Sequence, residues 1–269
     1  MLDKPTLTIH QPHLRVWSPL YQAVRLLAET IRSEPSCTVQ IDRFCYDRSI
    51  EYRSFLRVFK RLTGTTPVRF LQSHRIDQAK RLLARPDISI ANICYDLGYE
   101  SVGTFARTFN ELVGVSPSSF RRLVSQVKNW EMGWFLNELQ GVVLRTGLTR
   151  EIPGFLSATQ ATAALTFVGL FGSAIPTNEL LAGTVIVGQG RFNLSVGVHD
   201  KPLFVLAASF EADATPFDTL FPDADRILVA STILSPQITK TLAPITLQLR
   251  PMSCFDPAIV YALPGLLTE

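Results

Sequence analysis

Through the first half of the chain apolar side chains return every three or four positions. Leu20, Ala23, Val24, Leu27, Ala28 and Ile31 make one stripe, and Val68, Leu71, Ile76, Ala79, Leu82 and Leu83 make a longer one. That period predicts amphipathic helices. The first starts at Ser18-Pro19, a capping hydroxyl before a proline whose missing N–H would be unpaired there anyway. The second ends at Arg85-Pro86, because a residue before proline resists the helical region. Beyond Val142 the pattern changes. Short runs alternate with Gly, Pro and Asp: 141–145, 165–171, 184–187, 191–196, 203–209, 226–232 and 246–249. Such spacing predicts strands of an antiparallel β-sandwich.

Within the helical half one pattern occurs twice. A shift of fifty residues carries Phe55 to Phe105, Arg57 to Arg107, Phe59 to Phe109, Gly64 to Gly114, Pro67 to Pro117 and Phe70 to Phe120. Phenylalanines four apart share a helix face. Glycine at the helix end accepts the left-handed conformation that closes it. Thr66-Pro67 and Ser116-Pro117 then start the next helix. Upstream of each copy lies a short amphipathic stretch, ending in Cys45 or Cys94. A turn follows, and the second turn carries Leu97-Gly98-Tyr99. Short helix, tight turn and longer helix make a helix-turn-helix, whose second helix characteristically enters the DNA major groove.

The residues Arg75 to Leu83, Ile88 to Cys94, Leu97 to Tyr99, Phe105 to Phe109 and Gly114 to Arg121 carry a specific likeness. The stretch 18–123 resembles the tandem helix-turn-helix DNA-binding domain of the AraC family of transcriptional regulators. The resemblance implies an all-α, seven-helix domain that reads double-stranded DNA with helices near 51–62 and 101–112. On those helices the DNA-contacting candidates are Arg53, Leu56, Arg57, Lys60 and Arg61, and Ser101, Gly103, Thr104, Arg107 and Thr108. Phe55, Phe59, Gly64, Pro67, Gly98, Phe105, Phe109, Gly114 and Pro117 serve the motif's structure. Glu51 stands where the family has a capping serine. Family members usually place this domain last, so the order here is reversed.

The expected organisation is multidomain: an irregular arm over 1–17, the helical domain over 18–123, a connecting helix over 124–140, and an all-β sandwich over 141–269. The sandwich weakly resembles transthyretin-like and carboxypeptidase-regulatory-like domains. Its candidate roles are ligand sensing, dimerisation or protein contact, with RNA polymerase, a small-molecule effector and a second copy as candidate partners. The alternative is a carbohydrate- or peptide-binding module tethered to DNA. Trp130, Trp134, Phe135 and Leu139 suit interdomain packing better than a ligand pocket. The proline-rich tail over 249–264 is expected to pack across a domain surface.

Charge divides the chain in the same place. Residues 1–129 carry 19 basic and 11 acidic side chains, hence +8, whereas 130–269 carry 7 and 12, hence −5. The basic half suits a polyanion. Cys37, Cys45, Cys94 and Cys254 lack metal-ligand spacing, which predicts reduced thiols and no cofactor. His10 and His13 are read as part of a solvated arm. No apolar run follows a basic start and no stretch is long enough for a membrane span, which predicts a cytoplasmic chain. No nucleophile elbow, phosphate loop or zinc motif occurs. Some proteins join a domain of this type to a DNA-repair methyltransferase. That chemistry needs a cysteine beside a histidine, and Cys254 has none near it in sequence. No enzyme is expected.

Overall fold

The computed structural model of the chain describes residues 18–143, 150–158, 164–176, 180–197, 199–261 and 263. The arm over 1–17, with His10 and His13, lies outside them. Helices α1 (Pro19–Ser33), α2 (Ile41–Tyr46), α3 (Tyr52–Thr63), α4 (Pro67–Leu83), α5 (Ile90–Asp96), α6 (Val102–Val113) and α7 (Pro117–Val127) form the N-terminal half. Side chains of Ser18, Thr66, Ser89, Ser101 and Ser116 each accept a first-turn amide and cap their helices. Gly64 and Gly114 close α3 and α6 at φ 75° and 96°.

Two cores result. One gathers α1, Cys45, Phe55, Phe59 and Phe70; the other gathers Ile76, Ile93, Cys94, Phe105, Phe109 and Phe120. Helix α4 runs between them and is buried around most of its circumference. Phe70, Ile76, Ala79 and Leu83 are inside, whereas Val68 is 55% exposed. The expected stripe is therefore displaced. A helix enclosed on several sides has no single apolar face for periodicity to reveal.

After α7 a turn at Lys128–Trp130 leads to α8 (Met132–Val143), so 124–140 is two helices rather than one. Of the expected strand over 141–145, residues 141–143 belong to α8 and 144–145 lie outside the described residues. Phe135 and Leu139 are buried against Leu165, Phe167 and Phe210, while Trp134 is 47% exposed. The strands are β1 (Glu151–Ala158), β2 (Leu165–Phe171), β3 (Ala182–Val187), β4 (Gly190–Ser195), β5 (Leu203–Phe210), β6 (Leu228–Leu234) and β7 (Ile245–Pro251). Short helices α9 (Pro216–Leu220) and α10 (Pro236–Thr241) flank β6.

The strands run in one sheet order, β3-β2-β5-β6-β7-β1-β4. The first and last of that order, β3 and β4, are joined at Gly188-Gln189 and touch, so the sheet nearly closes into a barrel. One pair, β1 with β7, is parallel and departs from the expected antiparallel pairing. Closure buries one face inside, with Ile152, Leu156, Val168, Leu170 and Leu247. Every residue of β2 is buried, since α8 and the C-terminal segment cover its other face.

Strand β1 escapes sequence reading because Pro153-Gly154 looks like a break. Pro153 faces only β4, because pairing with β7 starts at Gly154. At Gly154 an added Cβ would stand 2.2 Å from the Phe192 ring. Glycine there is the space the ring occupies.

The segment after β7 leaves the barrel and lies on the helical half as a strap, 252–261. Phe255 enters the first helical core, and Ala258 and Val260 enter the second. Buried polar groups of α4 satisfy its backbone. Ser73 Oγ accepts from the Ala258 amide at 3.4 Å, and Lys80 Nζ donates to the Ile259 carbonyl at 3.3 Å. Arg32 donates to the Ser253 carbonyl at 2.6 Å. Within the strap Asp256 accepts two bonds from Arg250 and two more from the Ser253 amide and hydroxyl. The tail thus packs across a domain surface and also completes both cores beneath it.

Candidate nucleic-acid interface

Helices α3 and α6 are the second helices of the two helix-turn-helix units. Their buried sets coincide residue for residue at the fifty-residue offset. Phe55, Val58, Phe59, Leu62 and Thr63 are buried on α3, and Phe105, Thr108, Phe109, Leu112 and Val113 on α6. Cys45 and Cys94 pack under their respective helices, and Phe55–Phe59 and Phe105–Phe109 ring pairs lie 6.0 and 5.8 Å apart. The same core orients both helices, so the same positions face outward.

On α3 the outward set is Arg53, Arg57, Lys60 and Arg61, all exposed, with Leu56 half-buried between them. Arg57 Nη2 donates to Ser54 Oγ at 3.0 Å, which holds the guanidinium along the helix surface. On α6 the candidates Ser101, Gly103, Thr104 and Arg107 are exposed, alongside Val102 and Asn110. Nothing lies within 4 Å of a Cβ placed at Gly103. Ser101 is the cap, and its hydroxyl bonds both the Thr104 amide and the Thr104 hydroxyl. Thr108 is only 8% exposed. It follows Phe105 by one turn on the core-facing side and so does not belong to the open face.

Glu51 caps α3, accepting from the Arg53 and Ser54 amides at 2.8 and 2.6 Å. Hydrogen bonding from the Ser54 side chain, then from the two amides, holds its carboxyl below the usual carboxylate range. The capping task absorbs the carboxylate where a serine would serve elsewhere. The two outward faces differ in charge. The position of Arg61 is taken by Glu111 on α6, and Glu111 pairs with Arg69 of α4 at 2.7 Å.

Sequence reasoning gave no role to Arg75. Its guanidinium donates to the Pro35 and Cys37 carbonyls at 2.9 and 3.1 Å, ahead of α2, and to Gly98 in the turn between α5 and α6 at 3.4 Å. It also lies 5.7 Å from the centroid of the Tyr99 ring. One side chain of α4 therefore holds both helix-turn-helix units. The turns themselves are equivalent. Gly98 at φ 75° has Ser49 at φ 52° as its counterpart, four residues after Cys45. A single arginine among helical residues carries no spacing signal that could have announced this.

Residues 48–123 match the sequence profile of a helix-turn-helix domain family. The MmsAB operon regulatory protein of Pseudomonas aeruginosa is 28% identical over 96 residues, 36% of this chain and 31% of that protein. The transcriptional activator RhaR of Escherichia coli (strain K12) is 31% identical over 86 residues, 32% and 30% of the two chains. The helical half carries a helix-turn-helix domain. The chain spans about a third of the length of these curated relatives. The DNA-binding domain of AdpA, solved with a target DNA, overlays 42% of this chain and 99% of its own at 24% identity, with a TM-score of 0.35.

The relatives that match this domain are a regulatory protein and a transcriptional activator. Cys254 gives no sign of a reactive thiol, since burial, followed by the nearby Glu29, pushes its pKa up. Among the described residues no group of acidic, histidine or cysteine side chains could hold a metal. No described helix is long and apolar enough to cross a membrane.

Proposed function

We propose that this chain is a sequence-specific, DNA-binding transcriptional regulator of the cytoplasm. In this reading α3 and α6 enter two successive major grooves about 10 bp apart. The barrel half, over 141–269, modulates that binding through a ligand, a second copy or another protein. The observation that carries the reading is the duplicated core: two helices with identical buried positions present Arg57 and Arg107 outward from the same place.

Arg107 is the base reader in this proposal, and Lys60 a phosphate anchor. An arginine near the middle of a groove-bound helix can give a guanine edge two hydrogen bonds, worth about 1–3 kcal/mol of discrimination. Arg107→Ala is expected to lower affinity for the preferred site and flatten preference at one or two base pairs. Lys60→Ala is expected to weaken all sequences alike and reduce the salt slope by about one. The test is a titration of selected DNA fragments and their single-base variants at two salt concentrations. Full base preference in Arg107→Ala would remove Arg107 from the reading face.

A further inference from the structure

Between the strap and the outer face of β2, β3, β5 and β6 lies a cavity of about 130 Å³. Phe167, Gly169 and Ala208 border it from the sheet, and Ile259 and Tyr261 border it from the strap. Thr63, the last residue of α3, borders it too. Its chemistry is narrow. Among the described residues no lysine, arginine or histidine lines it. Its one carboxylate, Asp256, is engaged by Arg250 and Ser253. The Thr63 hydroxyl donates to the Phe59 carbonyl, and that of Thr219 to the Pro216 carbonyl.

A charged or sugar-like molecule entering here would lose its hydration and meet no compensating charge. An apolar molecule loses nothing of that kind. An apolar cavity of about 150 Å³ takes up benzene. We propose that this cavity binds a small uncharged apolar molecule, of a size between benzene and indole, and that its occupancy is felt by the first DNA-reading helix. Two paths connect them. Thr63 stands directly before the Gly64 cap of α3, and the strap that forms one wall is bonded through Ser73 and Lys80 to α4. A molecule that fits one placement of the strap better than another shifts the population of α3 and α4 with it. The coupling rests on the regulator reading above; the site does not.

The full chain is melted against rising toluene or indole, with benzoate as the charged counterpart. Toluene and indole are expected to raise the melting temperature saturably by a few degrees, and benzoate to leave it unchanged. Ala208→Phe, which fills the cavity from the sheet side, should abolish the shift. Ser231→Leu, from the neighbouring strand, is the second filling variant should the first melt without cooperativity. In a parallel DNA titration, indole should change affinity for a selected fragment several-fold in the wild type and not in the filled variants. No saturable shift with either hydrocarbon-like probe, or an equal shift in both filled variants, overturns the site. A shift with unchanged DNA affinity overturns the coupling. Failure of the probe-free chain to bind any DNA overturns the regulator reading and leaves the melting result to decide the site.

Discussion

Replacing Lys80 by methionine should change stability in opposite directions at neutral and alkaline pH. Lys80 has no exposed surface, and burial, against a raising influence from Asp77, pushes its ammonium down to about 8 from 10.5. The folded pKa lies below the unfolded one, so between about pH 8 and 10.5 the unfolded chain holds more protons than the folded chain. Stability contributed at this site therefore rises as pH rises through that window. At 1.36 kcal/mol per pH unit, the fall from 10.5 to about 8 is worth about 3 kcal/mol. Methionine fills nearly the same volume and carries no charge. At pH 7 it relieves about 3 kcal/mol of buried charge but leaves the Ile259 carbonyl without its donor, a loss of about 1–3 kcal/mol. The net expectation is a gain of about 0–2 kcal/mol. At pH 10.5 the amine is already neutral in the fold, and only the loss remains. Urea denaturation of wild type and Lys80→Met at both pH values cancels all other titrating groups in the difference. A mutational effect that does not move with pH would show that Lys80 is not buried as a charge, and the strap contact with α4 would then be wrong.

Acid should act on the same contact through His74. Burial, with the Arg32 charge, pushes His74 down to about 4, so stability is lost as pH falls from about 6.5 to 4. His74→Phe should flatten that loss in acid denaturation; an unchanged profile would discount it. Arg75→Ala should lower affinity for a two-groove DNA site far more than for a fragment carrying one of its halves, measured by anisotropy titration; an equal loss on both would make Arg75 a generic stabiliser. Gly154→Ala should destabilise by about 1–3 kcal/mol in a chemical melt, because the added Cβ would overlap Phe192. Combining it with Phe192→Leu should recover part of that loss, and no recovery would refute the steric account.

The helical half was readable because its signals are local and agree with one another. Serine or threonine before proline, phenylalanines four apart and glycine at the helix end each occur twice at one offset, and the structure uses them in both places. What sequence missed lies in contacts between distant segments. Lys80 reads as a solvated helix charge until the Ile259 carbonyl is placed above it. Thr108 reads as a polar contact until its turn is seen to match Val58. Strand β1 hides behind Pro153-Gly154, whose fitness depends on where β7 starts and where the Phe192 ring lies. The strap is held by the Phe255, Ala258 and Val260 side chains and also through its backbone, and main-chain bonding leaves no residue pattern to read. Arg57 and Arg107 were legible as equivalents, but the turn carbonyl that Arg75 holds was not.

Arg75 also sets what can vary in the DNA this chain would recognise. Because one guanidinium grips the approach to α2 and the turn before α6, the separation of α3 and α6 belongs to the protein's skeleton and not to a linker that could stretch. A linker would tolerate targets of several spacings and discriminate weakly among them. A riveted pair works as a calliper: it accepts one gap and leaves individual base pairs free to drift. Regulatory sites for such a protein should then share a ruler more faithfully than they share a spelling.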